Sequence, residues 1–181
     1  MKRWILVVVS LWLLSAVSYA GDVDLGYRGG YMRMPDADDG AGMVGAFLRF
    51  ALGEAVLLDT AIYYHDEELS EDVSLELIPI QLSLMLYLLG TDGPVRPFML
   101  GGCGVYWTRT TENGVRSDSE YDFGGHLGAG MDFALSERMF IEADFRYIWL
   151  DAETEGNTLS DVAHDYEHWV AGIALAFRLG R

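Results

Sequence analysis

Residues 140 to 151, FIEADFRYIWLD, place Glu142, Asp144 and Arg146 at every second position. Two carboxylates beside a guanidinium could do acid–base work, or they could pair with one another. Three further groupings could carry chemistry. The acidic stretches PDADDG and HDEELSED could hold Ca²⁺ or Mg²⁺, since clustered carboxylates suit hard cations. Asp36, Asp38, Asp39 and Gly40 only brush the Ca²⁺-loop pattern, because the glycine comes one position early and no Glu stands at position twelve. His65, His126, His164 and His168 offer no H-x₃-H or HExxH spacing on a helix, so no zinc site is expected. GxSxG is absent, and no Ser falls beside His126 in the pattern, so no activated nucleophile is visible. The glycines of LGGCGV and FGGHLGAG lie inside strand patterns with no helix after them, which removes a dinucleotide reading. No catalytic residue, cofactor or metal ligand is assigned.

The elements that must position these residues are strands. Side chains alternate between two faces of a strand, so the FIEADFRYIWLD pattern has one charged face and one apolar, aromatic face. Eight such segments are predicted, over 24–34, 42–52, 55–65, 73–89, 95–109, 121–135, 139–150 and 165–179. Val44, Ala46, Leu48 and Phe50 oppose Arg49, and Val56, Leu58, Ile62 and Tyr64 oppose Asp59 and His65. Strand five, VRPFMLGGCGVYWTR, is apolar on both faces apart from Arg96, and its orientation stays open.

Short connections at Gly53-Glu54, Gly90 to Pro94 and Ser136 to Arg138 alternate strictly with longer acidic ones. In an up-and-down barrel, alternate connections lie at opposite ends. Tight turns at one end and long charged loops at the other are the asymmetry of transmembrane β-barrels. The expected fold is therefore all-β, an eight-stranded antiparallel up-and-down transmembrane β-barrel.

Residues 1–20 read as a cleaved secretory signal peptide: Lys2 and Arg3, an apolar run from Trp4 to Leu14, and Ser18-Tyr19-Ala20 before Gly21. Residues 21–181 form the barrel domain. They hold ten Arg, no Lys and 28 acids, a formal charge of −18. So acidic a chain is a poor nucleic-acid binder. A soluble surface would normally carry Lys. Cys103, the single cysteine, is expected to be a small apolar filler.

Alternation alone fits a secreted, lipocalin-like ligand-binding barrel as well as a membrane barrel. Aromatics near strand ends, a sparse Gly- and Ala-rich polar face and charges of mixed sign favour the membrane. Arg28, Arg49, Asp59, Asp132, Glu142, Asp144, Arg146 and Arg178 should then project into the lumen. Tyr121, Phe133, Phe145, Tyr147, Trp149, Trp169 and Phe177 should face lipid. An eight-stranded interior is just wide enough for side chains to fill, so the charges are expected to plug it, with a narrow ion path as the alternative.

The segments RPFMLGGCGVYW (96–107), FGGHLGAGMDFALSERMFIEADFRYIW (123–149) and WVAGIALAFRLGR (169–181) resemble the small outer-membrane β-barrels of Gram-negative bacteria, of the OmpA transmembrane-domain and OmpX/Ail type. The resemblance implies a bacterial outer-membrane location, a monomer, and contact with outer-membrane lipids and lipopolysaccharide. It also implies insertion by the barrel-assembly machinery. It is specific for architecture and weak for activity, since the family's members do different things. A non-enzymatic envelope-structural or surface-interaction role is expected, with a porin-like channel or a lipid A-modifying enzyme as alternatives. Divalent cations at the acidic loops could bridge to lipopolysaccharide phosphates.

Overall fold

The computed structural model describes residues 23–33, 40–70, 73–113, 115–117, 119–151 and 167–179. The expected signal peptide, and the acidic stretches at 34–39 and 152–166, lie outside these residues. The strands are β1 (Val23–Arg33), β2 (Ala41–Ala51), β3 (Val56–Ser70), β4 (Val73–Tyr87), β5 (Val95–Glu112), β6 (Val115–Arg116), β7 (Glu120–Ala134), β8 (Met139–Asp151) and β9 (His168–Leu179). All pairings are antiparallel; they join chain neighbours except where β5 passes over the two-residue β6 to pair with β7 and where β1 meets β9. β1 pairs with β9, and β4 with β5, so eight strands close into a barrel with no free edge along the wall. Among the described residues no helix is long and apolar enough to cross a membrane.

The short connections behave as tight turns. Leu52 N–H donates to Val56 O at 2.9 Å, and Leu135 N–H to Met139 O at 2.8 Å. Gly90 turns the β4–β5 connection with φ of 76°, a conformation that only glycine adopts freely.

Two expectations are corrected. The third connection is not a long loop. β3 runs on to Ser70, and its ladder with β4 continues through Asp66↔Glu76 to Ser70↔Val73. β5 likewise extends to Glu112 and adds β6 through Thr111↔Arg116. Charge misled the boundary, because acidic residues read as loop while backbone pairing with a neighbour kept them extended. The β3–β4 ladder has no Cα pairing for Tyr63 and Tyr64, between Ile62↔Ile80 and His65↔Leu77. Pro79 sits opposite Tyr63 in this register and has no N–H to donate.

The apolar interior has two parts. Leu57, Met85, Tyr87, Phe98 and Leu100 cluster on β3–β5 toward the short-turn end. Met32, Met43, Leu77, Tyr106, Ile148 and Val170 come from six strands and lie toward the long-connection end. His65 and His168 are buried at the same level, opposite Met43 and Ile148, so this end of the interior is apolar with two histidines set into it.

Strand five is now oriented. Arg96, Phe98, Leu100 and Tyr106 are buried inward, whereas Met99 is exposed outward. Cys103 shares the outward face and is exposed, so it fills no interior space. Its neighbours Gly102 and Gly104 mark why both faces looked apolar. A Cβ on Gly102 would lie 2.9 Å from His126 Nε2, so glycine there makes room for a polar group that stands on another strand.

Candidate functional site

The lumen is the one place where the sequence-selected charges converge. Inward positions of β1, β2, β3, β7 and β8 supply them, at the alternate spacing that the strand pleat dictates. Two carboxylates act as hubs. Glu142 accepts from Arg28 Nη2 at 2.5 Å and from Arg49 Nη2 at 2.6 Å. Asp59 Oδ2 accepts from Arg28 at 3.2 Å and Arg49 at 3.1 Å, and lies 3.9 Å from Arg146 Nη2. Arg146 Nε donates to Asp144 Oδ2 at 2.6 Å, and Arg49 Nη1 lies 3.9 Å from Asp132 Oδ2.

Tyrosines and one amide complete the shell. Arg28 donates to Tyr63, Arg49 donates to Tyr87 at 3.2 Å, and Tyr87 donates to Asp132 at 2.7 Å. Arg146 donates to Gln81 at 3.0 Å, and Gln81 donates to Tyr106 at 3.1 Å. The Arg28 and Arg49 guanidiniums lie 4.6 and 4.7 Å from the Phe47 ring centroid, close enough for a cation–π contact.

The sequence-selected set is therefore brought together in seven of its eight members. Arg178 stands apart: it donates to Asp24 Oδ1 at 3.0 Å at the short-turn rim. Sequence reasoning missed Arg96, whose Nη2 lies 3.2 Å from Asp132 Oδ2 and whose guanidinium lies 4.5 Å from the Phe140 centroid. It also missed Asp24 as the partner of Arg178. The inward parity of Asp24 was readable on β1; that of Arg96 was not, because the faces of strand five could not be told apart.

With Arg96 counted, four buried arginines (Arg28, Arg49, Arg96, Arg146) face four buried carboxylates (Asp59, Asp132, Glu142, Asp144). The central network is electrically balanced, and the Asp24–Arg178 pair is balanced too. Isolated buried charge costs several kcal/mol, so balance is the condition under which so many ions can share a narrow lumen. The chain's acidity must then lie outside. By chain position, Asp22, Glu54, Asp92 and Glu137 fall at the short-turn end. The remaining 19 of the 28 acids fall in or beside the long connections, with only Arg33, Arg109 and Arg116. By sequence, those connections and their flanks carry a formal charge of −16.

Free space in the lumen is small. A cavity of about 10 Å³, room for roughly one water molecule, lies between Arg28, Tyr63, Gln81, Asp144 and Arg146. Gly30 and Gly172 face each other across β1 and β9 there, and a Cβ on Gly172 would meet Asp144 Oδ1 at 2.7 Å.

One sequence expectation about nucleophiles is overturned. Ser83 Oγ lies 2.8 Å from His126 Nε2 inside the lumen. The pair joins β4 to β7 across β5, a proximity that only barrel closure creates. Both residues are buried, and no carboxylate hydrogen-bonds His126 Nδ1 to orient the ring. Among the described residues no three His, Cys, Asp or Glu side chains gather as a metal site.

The seven selected aromatics all take outward positions. Tyr121, Phe133, Phe145, Tyr147, Trp149 and Phe177 are exposed on the wall, and Trp169 is partly covered by its ring neighbours. Its centroid lies 5.9 Å from Phe145 in a stacked pair and 6.1 Å from Tyr31. With Leu82, Leu84, Leu86 and Ile173, they give the barrel an apolar exterior around a charged interior. That is a transmembrane β-barrel turned inside out relative to a soluble protein.

The comparisons agree with this class. The family model for the outer membrane protein beta-barrel domain matches residues 9–177. The chain belongs to this family and is a bacterial outer-membrane barrel. No curated protein matches it by sequence. Among solved structures, it is similar to the N-terminal β-barrel domain of OprF from Pseudomonas aeruginosa, with TM-score 0.63 and 13% identity, covering 86% of this chain and 97% of that one. Neisserial surface protein A gives TM-score 0.64 at 11% identity, covering 88% and 96%. Ail of Yersinia pestis gives 0.54 at 14% identity, covering 88% and 99%. At these identities the likeness shows the fold alone.

Proposed function

We propose that this chain is a closed, non-enzymatic barrel of the Gram-negative outer membrane that acts through its acidic outer end. The supporting observation is the lumen: a balanced ion network, a buried apolar cluster packed beside it and a cavity of about 10 Å³. Such an interior holds the wall rigid and presents no substrate space. The Ser83–His126 pair does not change this reading, since neither side chain is reachable from outside the wall.

The strongly acidic end faces outward in this reading, as the long loops of such barrels do. A formal charge of −16 there suits a cationic surface partner, or divalent cations bridging to lipopolysaccharide phosphates. It disfavours a polyanion. One structure of Ail holds the heparin analogue sucrose octasulfate, and charge argues against a ligand of that kind here. The chain would act as a monomer, delivered by a signal peptide over residues 1–20 and inserted by the barrel-assembly machinery.

Planar-bilayer recording tests the closed lumen. The expected result is no discrete conductance from the folded protein. Reproducible single-channel steps would replace this reading with the narrow pore, which the lumen's polar lining would then serve.

A further inference from the structure

The outer wall is not uniformly filled. On β1, Gly29 takes an outward position between Tyr27 and Tyr31, and a Cβ built there meets nothing closer than Met43 O at 4.0 Å. Its cross-strand neighbours are Val44 on β2 and Ile173 on β9. The result is a groove of about 590 Å³ walled by Tyr27, Val44, Ile141, Ile173 and Leu175, floored by backbone at Gly29. No charged side chain projects into it. The charge of Arg28, whose backbone lines the floor, points into the lumen at Glu142.

The rim above the groove is built differently. Tyr31, Trp169 and Phe145 form a ring cluster there. The Tyr31 hydroxyl accepts from Gly40 N–H at 2.8 Å, and Tyr147 donates to Glu167. Amphipathic rings with hydroxyls held by polar partners mark the level of lipid headgroups. Gly29 lies two residues from Tyr31 along β1, roughly 7 Å along the strand at ~3.4 Å per residue and about 5 Å deeper once the strand tilt is counted. The groove therefore opens to hydrocarbon, directly below the headgroup level, on a wall that already faces the bilayer.

We propose that this groove seats one acyl chain of a membrane lipid, whose headgroup rests at the Tyr31–Trp169–Phe145 cluster. A flat wall exchanges its lipid shell freely. A shallow groove, open on its bilayer side, lets a chain lie between side chains and adds dispersion contacts along its floor and flanks. The missing side chain at Gly29 makes the contact possible. The proposal needs only the membrane location, and it stands whether or not the lumen conducts.

Native mass spectrometry tests it. The full chain is folded in detergent micelles and titrated with purified lipid A, the acylated lipid of the outward-facing leaflet. The expected spectrum shows a single lipid retained after activation that strips the detergent. Gly29→Leu should cut that retained fraction at least tenfold. Val44→Phe, which narrows the groove from β2, should act in the same direction and serves if Gly29→Leu folds poorly. Met99→Phe is the control: it is outward on β5, four strands from β1 in either direction round the wall, and lipid should stay bound. Gel mobility of unboiled samples checks that each variant is folded. Equal retention in native protein and both groove variants would overturn the proposal. So would no retained lipid in the native chain, or a lipid-free dimer that Gly29→Leu dissolves.

Discussion

Glu142→Gln isolates what the lumen network contributes. The substitution keeps shape and removes one charge from a carboxylate that is fully buried. Glu142 uses both oxygens, at 2.5 Å to Arg28 and 2.6 Å to Arg49. Gln can still accept from one guanidinium, but its amide nitrogen then points a donor at the other. Four buried arginines would face three carboxylates, a net positive charge with no route to water. Breaking a buried pair from one side costs about 3–5 kcal/mol, which is about 10²- to 10³-fold in the folding equilibrium or somewhat more. Asp59 still bridges Arg28 and Arg49, which keeps the loss nearer the lower end. Urea titration of the protein folded in lipid vesicles, followed by tryptophan fluorescence and by gel mobility without boiling, measures the change. Restoring balance with Arg49→Met in the same chain should recover a large part of the loss, because the double variant again has three ions of each sign. A Glu142→Gln effect below about 1 kcal/mol would refute the reasoning, since surface-like pairs are worth up to about that much. A double variant as unstable as the sum of its singles would refute it too.

Other outcomes follow from the same geometry. Leu82→Arg puts a charge on the outward face of β4 and should cost about 2–4 kcal/mol in vesicles if it sits near the bilayer midplane, whereas Asp92→Arg in the short β4–β5 turn should be close to neutral; unfolding titrations compare them. Cys103 should react with a membrane-permeant apolar maleimide in the folded, reconstituted protein and resist a charged, water-confined one, because it lies on the exposed outer wall; equal labelling by both would contradict the orientation of β5. Gly172→Val should impair folding on a gel-mobility assay, since even a Cβ there lies 2.7 Å from Asp144 Oδ1, whereas Gly53→Ala in the β2–β3 turn, with nothing within 4 Å, should fold normally.

The sequence by itself determined the architecture. Period-two alternation, repeated in eight segments with short and long connections in turn, leaves an up-and-down barrel as the natural closure. The absence of Lys after residue 20 and the aromatics at strand ends say which face meets lipid. These are local signals, because a strand's two faces are written in its own residues. For the same reason seven lumen charges could be named before any coordinates. The tertiary structure decided what depends on neighbours. Arg96 joined the network only when β5 was oriented by its pairing with β4 and β7. Ser83 met His126 only because β4 and β7 flank β5 in a closed wall. The β3–β4 ladder ran through residues that read as loop, since backbone hydrogen bonds to a partner strand outweighed their charge. Even the groove at Gly29 needs three strands to have walls. Faces are a property of one strand, whereas pairs, balances and cavities belong to the register between strands, which no single segment encodes.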